Sequence, residues 1–148
     1  MKKIIHHKVT FLKRKYSTND PFELCDFLHI KVMYENLGHI NGFYQSAPKN
    51  KIVHINCNLD YYMQRIVCAH ELGHALFHSR LNRIFLEKKT FIVTDRLEIE
   101  ADFFAADLLI DNDVAANEYY RSMTASQIAS SLNIPVELLK LKFSNIFT

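Results

Sequence analysis

At 148 residues and 17.3 kDa, with 49% hydrophobic residues, the chain has the length of one domain and enough apolar content to bury its own core. A net charge of +2 and a pI near 8.4 are too mild to argue by themselves for nucleic acid. No stretch reaches the roughly eighteen apolar residues of a membrane span, and Cys25, Cys57 and Cys68 lack a C-x-x-C pair and fit reduced thiols, so a cytoplasmic location is expected.

Lys2, Lys3, Lys8, Lys13, Arg14 and Lys15 make residues 1–18 read as a basic N-terminal arm, a solvated terminus in preference to a nucleic-acid contact. Asp20-Pro21-Phe22-Glu23 is a helix start: Asp20 caps, proline suits the first helical position, and Glu23 completes a capping box. A short helix to about residue 29 follows. Residues 30–34 read as a strand, 38–41 as a turn, and 42–45 as a second strand, which a turn containing Pro48 joins to a third at 51–56. In that third strand alternation sets Ile52, His54 and Asn56 on the face opposite Val53 and Ile55. A strand at a cleft edge can bind an extended peptide by adding it to the sheet. His54 reads as a surface histidine, with a substrate contact as the alternative.

Residues 59–79 lack proline and carry Ile66, Val67, Ala69, Leu72, Ala75 and Leu76, which predicts a helix with Asn58 as its cap. Within it, His70-Glu71-Leu72-Gly73-His74 is an H-E-x-x-H pattern. Side chains four apart share a helix face, so the imidazoles of His70 and His74 can converge on one ion. Glu71, about 100° round the helix from His70, is too far off-axis to be a ligand, yet near enough to hold a water and take its proton. Cys68 projects about 200° from His70 and reads as a packing residue. Phe77 and Arg80 stand where a three-histidine version of the motif needs Gly and His, which excludes that class. His78 lies on the flank of the same face, but positions i and i+8 are separated by about 12 Å of rise, too far for one ion. It reads as a helix-end residue, with support of the ligands or a place in the cleft as the alternative.

A catalytic zinc takes three protein ligands and leaves a position for water. Residues 80–93, with Glu87-Lys88-Lys89, read as a long connection along the cleft. A second helix follows, capped by Thr94 or Asp95, with Leu97, Ala101, Phe104, Ala105 and Leu108 as its apolar stripe. Glu100 abuts that stripe, where an ionised carboxylate needs a counter-charge such as a divalent ion. Glu98 sits about 200° away round the helix and reads as more solvated. Glu100 is the preferred third ligand and Glu98 the alternative; Asp102 suits the role of partner to a ligand imidazole. Tyr61, Tyr62, His78, Tyr119 and Tyr120 are the candidate oxyanion donors.

Thr124-Ala125-Ser126-Gln127 is another capping box, opening a helix through residue 132; Ile134-Pro135 breaks it, and a last helix runs from 135 to about 146. This pair has the outline of a helix-turn-helix, which raises the rival reading of a zinc-containing DNA-binding regulator. Its second helix, however, opens with Val136, Glu137, Leu138 and Leu139, where base readout wants Arg, Asn or Gln, and offers only Lys140 and Lys142 later. Direct nucleic-acid binding is therefore disfavoured, and a pair that closes the core is preferred. A third class, a non-catalytic protein that sequesters its partner, retains the same motif.

Four stretches together resemble the ImmA/IrrE metallopeptidases of bacteria, phages and integrative elements: residues 19–24, Gly42-Phe43-Tyr44, the run 70–78, and residues 98–109. The resemblance covers roughly residues 19 to 143. It implies that Glu71 is the catalytic base and that Glu100, the glutamate before alanine, joins His70 and His74 on a single Zn2+. It also implies the substrate, a helix-turn-helix repressor whose loss switches on mobile-element, phage or stress genes. Where the family continues Leu-Leu with Met-Pro, this chain has Ile110-Asp111, which alters the helix exit and leaves the ligands untouched. The expected architecture is a single α+β metallopeptidase domain over 1–148, zincin-like and of the gluzincin type. A three-stranded sheet packs on the H-E-x-x-H helix and a Glu-bearing helix, with the C-terminal helical pair at 124–148.

Overall fold

A computed structural model of the chain describes residues 1–78 and 91–147, with side chains from residue 96 onward in the second stretch. Its three strands, β1 (Ile30–Glu35), β2 (Gly42–Ser46) and β3 (Lys51–Asn56), form one mixed sheet in the order β1-β3-β2. β3 runs parallel to β1 and antiparallel to β2, which places β2 at an edge among the described residues. Being central, β3 has Val53 and Ile55 buried on one face and His54 and Asn56 on the other. The expected surface placement of His54 is thus overturned. Its ring stacks on Phe43, with Nε2 2.8 Å from Gln45 Oε1 of β2 and Nδ1 bonded to Glu35 of β1, so it ties all three strands together. A residue so committed inside the sheet cannot serve as a substrate contact.

Six α-helices accompany the sheet among the described residues: α1 (Lys2–Tyr16), α2 (Pro21–Phe27), α3 (Tyr61–Phe77), α4 (Phe91–Leu109), α5 (Ala125–Ser131) and α6 (Val136–Lys142), with α2 and α3 packed on the strands. The α+β class and its three strands match the expectation from sequence. The N-terminal arm does not, because residues 2–16 are a helix whose Ile5, Val9 and Leu12 are fully buried. Spacings of four and three align those residues on one stripe, and burying them against α4 stabilises a helix too short to persist alone. The lysines occupy the remaining, solvated faces.

α2 starts at the expected cap, with Asp20 Oδ1 accepting the Phe22 N–H at 2.9 Å and proline first in the helix, but the expected capping box with Glu23 is replaced, the Asp20 N–H donating to Thr18 Oγ1 at 3.0 Å. α3 is capped by Asp60, which accepts the Met63 N–H at 2.8 Å, and not by Asn58. The Asn58 side chain is engaged elsewhere, its Nδ2 donating to Asn36 Oδ1 at 3.1 Å. The expected connection over 80–93 lies outside the described residues up to residue 90; from Phe91 the backbone is already helical, so Thr94 and Asp95 fall inside α4 instead of capping it.

α3 and α4 pack face to face around a small residue. A Cβ on Gly73 would stand 3.2 Å from Phe104, so the glycine sets how closely the two helices approach. On the other side of α3, a Cβ on Gly42 would lie 2.5 Å from Val67, so this glycine lets the edge strand reach the motif helix.

α5 carries the expected capping box, with Thr124 and Gln127 each accepting the other's backbone N–H. α6 stops at Lys142, short of the expected end at about 146. Ile128, Ala129, Ile134, Leu138 and Leu139 of this pair close a second apolar cluster over Ala106, Ile110 and Val114. Lys142, one of two basic residues available for a phosphate contact, turns inward. Its ammonium lies 3.2 Å from Asp107 Oδ1 and donates to the carbonyls of Asp107 and Ile110, while His6 Nδ1 meets the other Asp107 oxygen at 2.8 Å. This cluster pins α1 and α6 to the C-terminal end of α4, where free carbonyls favour a cation. With both Lys142 and Asp107 side chains about 5% exposed or less, Lys142→Ala is expected to cost about 3 kcal/mol, since one buried charge loses its main partner; thermal unfolding of chelator-treated protein checks it. No helix among the described residues is long and apolar enough to cross a membrane.

Candidate metal centre

α3 is a continuous helix, so residues 70, 74 and 78 ascend one flank, while α4 lays its own acidic flank against them. His70 and His74 turn their Nε2 atoms towards each other at 3.1 Å. The third group is Glu98, with Oε2 3.1 Å from His70 Nε2 and Oε1 3.0 Å from His74 Nε2. Among the described residues, these three side chains form a cluster able to hold an ion.

The preference for Glu100 as third ligand is therefore corrected. Glu98 and Glu100 flank the apolar stripe of α4 on opposite sides, and the side turned to the paired imidazoles is that of Glu98. Glu100 is largely covered, with a side chain 11% exposed, and does need a counter-charge as argued from sequence. It finds that partner in His78, whose Nε2 is 2.8 Å from Glu100 Oε2, with Arg96 at 3.9 Å on the other oxygen. Glu98, by contrast, is 42% exposed and borders the open cleft. Asp102, one turn beyond Glu98, receives His70 Nδ1 at 2.8 Å, the expected ligand-orienting role.

The donor set fits a divalent transition metal on geometric and electrostatic grounds. Bonds of about 2.0–2.1 Å in a tetrahedral shell set neighbouring donors roughly 3.3 Å apart, close to the separations found. Two imidazole nitrogens and a carboxylate oxygen pointing at one locus call for a positive charge between them. Burial opposes a charged His70, yet its bonds to Asp102 and Glu98, with the Glu71 carboxylate nearby, outweigh this and push its pKa up to about 10. Burial likewise works against an ionised Glu98, but the two histidines pull its carboxyl far below the usual range. Further along, burial holds His78 below the ordinary histidine value despite Glu100.

A cleft of about 430 Å³ opens on this cluster, lined by His70, Glu71, Glu98 and Asp102 from the two helices. Its opposite wall comes from the β1–β2 turn and the start of β2, with His39, Ile40, Asn41 and Gly42. Glu71 is only 4% exposed and belongs to the helical wall. None of Tyr61, Tyr62, Tyr119 or Tyr120 lines the cleft, and His78 is buried beside His74. His39 and Asn41 escape a reading of the sequence because a turn between two strands carries no motif. Cys68 is fully buried, its Sγ 3.9 Å from that of Cys25, in keeping with a packing role.

The sequence matches the family model of peptidase M78, the IrrE N-terminal-like domain, over residues 25–144. It is 39% identical over 140 residues to "Uncharacterized immunity region protein 2" of Bacillus phage phi105, an alignment covering 94% of this chain and 89% of that protein. It is also 36% identical over 147 residues to "Metallopeptidase ImmA" of Bacillus subtilis (strain 168), covering 96% and 85% respectively.

Proposed function

Because this chain belongs to the peptidase M78 family of IrrE N-terminal-like domains, we propose that it is a zinc-dependent endopeptidase that cuts a helix-turn-helix repressor inside the cell and so releases the genes the repressor silences. The observation that carries the reading is the convergence of His70, His74 and Glu98 beside Glu71 on one open cleft. The two relatives bear names that speak of a metallopeptidase and of a phage immunity region, and a repressor substrate is what the sequence resemblance to the ImmA/IrrE metallopeptidases implies.

His70, His74 and Glu98 would hold the zinc, which when bound supplies Lewis acidity to a water and to the scissile carbonyl. The chain's own groups do the rest. Glu71 takes the attacking water's proton on its carboxylate and passes it to the leaving amine nitrogen. Asp102 keeps a hydrogen on His70 Nδ1, so that the Nε2 lone pair faces the cleft. Among the described residues β2 pairs with β3 at the margin of the sheet, and its N-terminal end lines the cleft, so this strand can align an extended substrate backbone beside Glu71. His39 and Asn41 stand on the same wall as side-chain donors for the substrate's carbonyls.

The test is direct. Zinc-loaded protein is incubated with the helix-turn-helix repressors encoded in the same genome, beginning with any beside its gene, and fragments are read by mass spectrometry. Cleavage by the wild type but not by Glu71→Gln is expected. An intact repressor held in a stable complex would instead identify a sequestering protein, and an untouched, unbound repressor would remove the proposed substrate.

A further inference from the structure

We propose that His78, backed by Glu100, is a positioning residue that holds His74 in its metal-binding tautomer. The inference rests on the metal reading of the cleft and deepens it. His74 Nδ1 lies 2.9 Å from His78 Nδ1, and His78 Nε2 lies 2.8 Å from Glu100 Oε2. The three side chains are 8%, 4% and 11% exposed, so water has little access to the chain they form.

With His74 Nε2 on a metal and both rings neutral, only one placement of protons satisfies the contacts from His74 through His78 to Glu100. His74 Nε2 faces His70 Nε2 and Glu98, so as a ligand it must offer its lone pair there. The neutral ring then carries its hydrogen on Nδ1, which donates to His78 Nδ1. That nitrogen must accept, so the hydrogen of His78 sits on Nε2 and is donated to Glu100. A hydrogen on His78 Nδ1 would set two N–H groups against each other in a buried contact. His70 obtains the same service directly from Asp102, whereas His74 obtains its carboxylate at one remove. The geometry that bars His78 from the ion explains how it reaches His74. It ends α3 as the C-cap, four residues on, its backbone N–H bonded to the His74 carbonyl at 2.8 Å and its ring returned onto the preceding turn.

The experiment measures zinc affinity by competition with a chromogenic chelator, alongside the absorption spectrum of the cobalt(II)-loaded protein. The variants are His78→Leu and His78→Asn. Leucine fills space but accepts nothing, whereas the asparagine carbonyl occupies nearly the position of the lost Nδ1. His78→Leu is expected to lose about 10- to 100-fold in affinity, the range for removing a ligand's hydrogen-bond partner, with an altered cobalt spectrum. His78→Asn is expected to stay within a few-fold of wild type, with the wild-type spectrum. Equal losses in both variants, or no loss in either, would overturn the proposal. Should His78→Leu not fold, Glu100→Leu takes its place, with a loss of about tenfold expected and an unchanged affinity counting against it. A wild-type protein that binds neither zinc nor cobalt tightly would sink the metal reading itself, a result distinct from a tight wild type with indifferent variants.

Discussion

Replacing Glu98 with alanine is expected to empty the centre, lowering zinc affinity by more than the 100-fold or so that loss of an outer hydrogen-bond partner costs. The same change at Glu100 should cost about tenfold. The contrast follows from placement. Glu98 brings one oxygen to within 3.1 Å of each ligand nitrogen, so its removal deletes a donor and a negative charge together. Glu100 touches only His78, one residue removed from the ligands. Metal analysis of the two purified variants after equilibration against a graded zinc buffer gives the answer, and a Glu100→Ala protein that emptied first would return the third ligand to the position preferred from sequence.

Glu71→Gln should have the opposite signature, with zinc content unchanged and peptide cleavage reduced by about 10²- to 10⁴-fold, the contribution of a positioned general base. Gln is nearly isosteric with Glu, so the wall of the cleft and the burial of this side chain are kept while its capacity to take a proton is lost. Zinc stoichiometry and kcat on one preparation, measured with the repressor or a peptide from its cut region, test the assignment. Wild-type turnover by the variant would move the base to another group on the cleft, of which Glu98 and Asp102 are the nearest carboxylates.

The residues most legible in the sequence are those whose relation is local. H-E-x-x-H spacing decides that His70 and His74 share a face and that Glu71 stands off it, whatever packs around the helix. Thr124 and Gln127 close their capping box within one turn for the same reason. Asp102 is also within reach, as the carboxylate one turn from Glu98 on the helix that has to supply a ligand. The stripe of Ile5, Val9 and Leu12 is present but hidden among lysines, and its meaning depends on a partner some hundred residues away. His54 misleads because alternation distinguishes two faces of a strand without revealing that both are covered. Only the pairing of β3 with β1 and β2 does that.

The choice between Glu98 and Glu100 marks the boundary most sharply. Sequence alone determined that the two histidines of the H-E-x-x-H motif on one helix would be met by a carboxylate from a second, as His70, His74 and Glu98 are. It also determined that Glu100, next to an apolar stripe, would be buried and would need a partner. Which flank of α4 faces His70 and His74 was decided only by tertiary packing, through the close approach at Gly73 and the rotation it imposes on two helices in contact. A helix has the same internal geometry whichever way it is turned about its axis, so that rotation is encoded in the fit between surfaces and in no single stretch of chain.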